Sequence, residues 1–152
     1  MDIPEISSAL LAGFLQGEGC FHIGKRKDKP REFNPSISVA QRELQTLKFF
    51  QSLTESGNIY YRPENAPIRG RPGKPIYRWS ISQREDLIKI LNAVLPYLVG
   101  RCRRKAELVL EMTITKRNHH QKGQTRRLSN SIILERQGIY QRFLEANRRT
   151  HG

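Results

Sequence analysis

One carboxylate in the chain is set apart by its neighbours. Glu18 ends the run Leu10-Leu11-Ala12-Gly13-Phe14-Leu15-Gln16-Gly17 and is followed by Gly19-Cys20-Phe21. On a helix, Gly13 and Gly17 fall on one face, where the missing side chains let a second backbone approach closely, a spacing best known from membrane helices. The carboxylate is then delivered at the base of a close-packed helix pair. With its twin from a second chain it makes a two-carboxylate site, and such oxygen donors suit Mg²⁺, which keeps several of its waters. Ions so held stabilise the attacking and leaving oxygens at a phosphodiester. A lone Glu near a helix end is ordinarily a solvated residue, so the reading depends on what surrounds it.

The other reactive residue types offer less. Cys20 and Cys102 are the only cysteines, far apart and in no CxxC pattern, so neither a disulfide framework nor a cysteine zinc site is indicated, and a reducing intracellular setting fits. His119 and His120 are adjacent, which does not bring both onto one face for a metal, and they read as loop residues near phosphate or solvent.

Charge points to the partner. In 152 residues, 27 Lys and Arg stand against 14 Asp and Glu, a net charge of +13, while 37% hydrophobic residues suffice for a folded core. The expectation is a single domain over 1–152 whose partner is a polyanion, with nucleic acid the first candidate. No run of about eighteen apolar residues is present, and no basic segment followed by an apolar one opens the chain, so neither a membrane partner nor secretion is expected.

The elements that must position Glu18 follow from hydrophobic periodicity. Ser7 or Ser8 caps a helix through about Gly17, with Ala9, Leu10, Gly13, Phe14 and Gly17 at helical spacing. Phe21 and Ile23 then alternate with His22 and Gly24 in a strand to about Arg26, and Phe33, Pro35, Ile37 and Val39 mark a second strand. Leu44, Leu47, Phe50 and Leu53 give a helix over about Glu43 to Glu55, stopped at Ser56-Gly57. Asn58 to Arg62 forms a third strand. Pro63 to Pro75, with four prolines and two glycines, reads as a long loop, and Tyr77, Trp79 and Ile81 form a fourth strand. Ser82 opens a helix with Leu87, Ile88, Leu91, Val94 and Leu95 as its stripe. A further helix spans Arg101 to about Thr115, and a short terminal helix around Ile132 to Leu144 ends in a basic tail that frays from Arg142. The class is α+β, in the order αββαββα with C-terminal helices: a core of about 7–115 and an extension of about 116–152.

The strands have two kinds of face. Phe21, Ile23, Phe33, Ile37, Val39, Tyr77, Trp79 and Ile81 would pack on helices. His22, Gly24, Arg26, Asn34, Ser36, Ser38, Arg78 and Ser80 form a polar face, and Arg62 is assigned with them. Polar alternation is the ordinary wet face of an antiparallel sheet, but with this net charge it is read as a surface for base edges in a major groove. Lys25, Lys27, Lys29, Arg31, Arg69, Arg71 and Lys74 lie in the two hairpin loops, at the tips of the sheet, where they reach phosphates and add affinity without sequence choice.

The run Leu11 to Gly19, in its helix-to-strand setting, closely resembles the signature of the LAGLIDADG homing endonucleases, and the αββαββα order resembles their core. Gln16 departs from the usual acid at the sixth position, and Glu18 replaces the more frequent Asp at the eighth. A single motif resembles the homodimeric branch, in which the motif helices pack together and two sheets form a saddle over DNA. The resemblance implies a dimer interface through Gly13, Gly17, Leu10 and Phe14, a long near-palindromic target, and Mg²⁺ held by Glu18 and the Gly17 carbonyl. Mn²⁺ is expected to substitute, and Ca²⁺ to support binding without cleavage. Gln41, at the end of the second strand, would position water. The basic residue that follows the Pro-aromatic-Leu segment and stabilises charge is Arg101 counted from Pro96, or falls near Cys102 and Arg103 counted back from Ala106. Gln45, where a base is often found, leaves a gap in the peripheral charge.

What is expected is therefore an intron-encoded, Mg²⁺-dependent, site-specific DNA endonuclease of an organellar or prokaryotic interior. An intron RNA maturase and a cleavage-deficient DNA-binding regulator of the same fold are the alternatives. The target sequence is not legible from the chain.

Overall fold

The structure, a computed structural model, describes residues 3–63, 67–68, 71–72, 75–118 and 129–148; of 67–68 and 71–72 it describes the backbone. Alternation along the strands decides its layering. β1 (Gly19–Lys25), β2 (Phe33–Gln41), β3 (Asn58–Arg62) and β6 (Ile76–Ile81) form an antiparallel sheet in the order β1-β2-β6-β3. Directly paired residues share a face, so the register Phe21↔Ile37↔Ile81 and Val39↔Trp79↔Ile59 gathers the apolar residues on one side. There Phe21, Ile23, Phe33, Ile37, Val39, Trp79 and Ile81 are buried, each contributing about 1.5–3 kcal/mol of burial free energy. The connection expected as a loop holds a small hairpin, β4 (Pro67–Ile68) paired with β5 (Arg71–Pro72).

The helices cover the apolar face. α1 (Glu5–Glu18) buries Ser8, Leu11, Ala12 and Leu15, and α2 (Leu44–Thr54) buries Leu47, Phe50 and Thr54. α3 (Arg84–Val94) buries Leu87, Ile90, Leu91 and Val94, so Ile90 takes the core place that the stripe gave to Ile88. A 3-10 turn, Leu95–Tyr97, leads to α4 (Gly100–Asn118), which packs on β1 and β2 and carries α5 (Asn130–Asn147). Among the described residues no helix is long and apolar enough to cross a membrane.

Two helix expectations are corrected. Neither Ser7 nor Ser8 caps α1, which begins earlier behind Pro4; Ser8 is buried inside it and donates its hydroxyl to the Ile3 carbonyl at 3.3 Å. The terminal helix is neither short nor frayed from Arg142. α5 is capped by Ser129 and runs for 18 residues, and Arg142 makes a two-pronged bond to Glu111 of α4 at 2.8 and 3.3 Å.

α2 stops as Ser56-Gly57 suggested, with Glu55 already left-handed at φ 50° and Gly57 at φ 83°. The Trp79 indole donates to the Ser56 carbonyl at 2.9 Å, and a Cβ on Gly57 would lie 2.5 Å from that indole nitrogen and 2.8 Å from the Ser80 carbonyl oxygen. Gly57→Ala should therefore cost of order 2–3 kcal/mol, from backbone strain together with displacement of Trp79. A urea midpoint equal to that of the parent protein would refute this account.

Candidate active site and nucleic-acid interface

Glu18 closes α1 and is exposed. The chain passes from helix to strand at Gly19, whose N–H donates to the Leu15 carbonyl; a Cβ there would lie 2.8 Å from that oxygen. Space, not backbone angle, requires glycine at this point. Behind Glu18 runs an uncovered apolar stripe: Ile6 is 87% and Leu10 52% exposed, and Cβ atoms added to Gly13 or Gly17 would meet nothing within 4 Å. Ile6 was missed in the sequence because the helix was started after it, although it continues the spacing of Leu10, Gly13 and Gly17. Phe14 is half-buried and stacks on Phe50 of its own chain at 4.2 Å, with Phe49 against Phe50 and 52% exposed.

The sheet brings Gln41 to the same end. Gly19 pairs with Val39, so Gln41 lies two residues further along β2, beyond the start of β1 and level with Tyr77. The start of α4 is also tied there, because Gln16 binds both backbone groups of Val99. Within that first turn Arg101 is exposed and Cys102 is half-buried against the core, where burial pushes its thiol up. Arg103 reaches Glu107 at 3.2 Å and Arg104 reaches it at 3.7 Å. Of the residues that counting left open, Cys102 therefore faces inward and Arg103 is engaged along its own helix.

The donors at this end, a carboxylate and the carbonyls of a helix terminus, are hard oxygens of the kind Mg²⁺ takes. Among the described residues no three His, Cys, Asp or Glu side chains converge. The carboxylate at the end of α1 is that of Glu18.

The sheet face away from the helices carries Asn34, Ser36 and Ser38 of β2 and Arg78 and Ser80 of β6, with Gly24 in β1 and Arg62 half-buried at the end of β3. Exposed Asn58 and Tyr60 stand level with Ser80 and Arg78 on that face. They were not singled out from sequence because Tyr60-Tyr61 breaks the alternation. His22 is level with Ser36, yet it lies on an edge strand and its ring meets Phe143 of α5 edge-on at 5.8 Å; burial and then Lys105 hold its pKa down.

The two hairpin connections leave opposite ends of the sheet. The β1–β2 loop departs from Lys25 and Phe33, while the β3–β6 connection departs from Arg62 and Ile76, beside Gln41. In the first, Lys25 lies over the Tyr140 ring, Arg26 holds Asp28 at 2.7 Å and depresses that carboxyl, and Lys29 reaches Glu32 at 4.0 Å. Lys27 and Arg31 are exposed there. In the second, Arg69 and Lys74, like His119 and His120 elsewhere, lie outside the described residues, as does the side chain of Arg71.

A profile of the LAGLIDADG endonuclease family matches residues 11–99, more than half of the chain, beginning within α1 and taking in Glu18 and Gln41. The chain belongs to that family. Its fold is that of solved LAGLIDADG homing endonucleases. An archaeal intron-encoded homing endonuclease, I-Vdi141I, complexed with DNA, superposes with a TM-score of 0.70 at 15% identity, covering 97% of this chain and 87% of that one. The homing endonuclease I-CvuI, in complex with its target in the presence of 2 mM Ca, gives 0.58 at 19% identity over 96% and 98%. The I-SmaMI LAGLIDADG homing endonuclease, bound to cleaved DNA, gives 0.67 at 15% identity over 93% of this chain and 45% of its own. At these identities the likeness to the LAGLIDADG structures establishes the fold. A search of the curated proteins gives no match.

Proposed function

We propose that this LAGLIDADG protein is a homodimeric, metal-assisted, site-specific DNA endonuclease. The observation that carries the reading is the uncovered stripe Ile6-Leu10-Gly13-Gly17 ending in an exposed carboxylate, at the sheet end that also holds Gln41 and the start of α4. Two copies of α1 packed through the glycines bring two Glu18 carboxylates to one axis. Each Glu18, with the Gly17 carbonyl, would hold Mg²⁺, which supplies Lewis-acid stabilisation of the attacking and leaving oxygens.

The remaining steps belong to the chain. The Gln41 amide both donates and accepts, so it orients the attacking water, and Arg101 offsets charge that develops on the phosphate. No side chain serves as nucleophile. The open face, with Asn34, Ser36, Ser38, Arg78 and Ser80, reads base edges, and the exposed loop cations hold phosphates. Two-fold symmetry matches a near-palindromic target. The DNA complexes of I-Vdi141I and I-CvuI, the latter solved with Ca and with Mg, support a DNA target and a divalent ion.

The test is incubation with the uninterrupted DNA of the gene's own insertion site. Cutting of both strands in Mg²⁺ or Mn²⁺, and uncut binding in Ca²⁺, is expected. Tight binding that is never followed by cutting would favour a regulator, and a preference for intron RNA would favour a maturase; either overturns the proposal.

A further inference from the structure

Gln16 occupies the motif position where the resemblance led us to expect an acid, and both ends of its amide are in use. The Val99 N–H donates to Gln16 Oε1 at 3.0 Å, and Gln16 Nε2 donates to the Val99 carbonyl at 3.4 Å, across 83 residues of sequence. The partners fix the orientation, because a backbone N–H needs an acceptor and a carbonyl needs a donor. A carboxylate at position 16 would satisfy the first and repel the second.

Val99 is where α4 takes its bearing. Its carbonyl accepts the bond from the Arg103 N–H at 3.3 Å that opens the helix, and Gly100 follows at φ 61° in open space. A glycine in the left-handed region, with nothing packed against it, leaves the entry angle of the helix weakly determined by local structure. The Gln16 clamp adds a constraint from α1 at the residue directly before that glycine. It acts two residues before Glu18 on one element and two residues before Arg101 on the other.

We infer that Gln16 is a positioning residue that fixes the start of α4, and with it Arg101, relative to the carboxylate end of α1. The inference rests on the nuclease reading above. A misplacement of about 1 Å in a catalytic group costs on the order of 10²-fold in rate, so loss of the clamp should lower the rate of chemistry and leave DNA affinity alone.

Two measurements on the full-length protein test it. Hydrogen exchange at the Val99 amide should quicken about tenfold or more in Gln16→Ala; unchanged exchange overturns the clamp whether or not the protein cuts DNA. Single-turnover cleavage in Mg²⁺ should slow at least tenfold in Gln16→Ala, with melting temperature, dimer mass and DNA Kd close to those of the parent. In an Arg101→Ala background the same change should add little, because the two residues act as one unit. Full additivity with Arg101→Ala overturns the proposal. A parent protein that cuts nothing overturns the nuclease reading itself, and is recognised because parent and variants are then equally inert.

Discussion

Glu18→Gln should bind target DNA as the parent does and fail to cut it. The side chain is exposed at the end of α1, and the helix-to-strand passage is made by Gly19, so the exchange disturbs neither packing nor the turn. What it removes is one negative charge per chain, at the point where the pair of carboxylates would hold Mg²⁺. An amide oxygen is a much poorer partner for a hard divalent ion, and the developing charge on the phosphate then loses its main stabilisation, so cleavage should fall by at least about 10³-fold. Nicking of supercoiled target plasmid in Mg²⁺ reads the loss. Gel shifts in the absence of divalent ions read the retained binding. Cleavage near the parent rate would mean that the metal is held elsewhere.

Gly13→Gln should make the single chain more stable and the protein inactive. Glycine inside a helix costs about 1 kcal/mol relative to good helix formers such as Gln, and a Cβ at residue 13 meets nothing within 4 Å in its own chain. By itself, then, the exchange should raise the unfolding midpoint of the monomer. In a dimer that packs α1 against α1 through Gly13 and Gly17, the same side chain sits where two backbones need to touch. Association should be lost, and cleavage with it, because the two Glu18 carboxylates no longer share an axis. Sedimentation velocity, paired with thermal melting, separates the two effects. A Gly13→Gln protein that stays dimeric and cuts would show that α1 is not the interface.

The sheet was legible in the sequence because its signal is local: a period of two, read off Phe21 to Lys25 or Phe33 to Gln41, states which residues face the helices. Strand order is not local. That the β1–β2 and β3–β6 connections leave opposite ends follows from the β1-β2-β6-β3 order, and no spacing reports it. α5 was read as short because its apolar pattern is interrupted by Arg136, which is in fact buried, and because Arg142 is anchored by Glu111 on another helix. At the candidate site, the placement of Glu18 at the end of α1 and of Gln41 at the end of β2 was legible through motif and strand end. The placement of Arg101, Cys102 and Arg103 was not, because Gly100, at φ 61°, breaks the helical phase between Pro96 and the residues counted from it. The use of Gln16 was not legible either, because its partner Val99 lies 83 residues away in sequence.

The opposed loops also make β2 a ruler. Its nine residues, Phe33–Gln41, run from the β1–β2 hairpin to the end beside Glu18. At about 3.4 Å per residue the strand spans roughly 27 Å, which is about eight base-pair steps along a duplex. If the proposed dimer lays the strand along a groove, Lys27 and Arg31 would fall at the outer margin of each half-site, and the β3–β6 connection would leave towards the centre of the target. Exchanges in the first loop would then weaken backbone contacts at the ends of the target, and exchanges in the second would weaken them close to the cut.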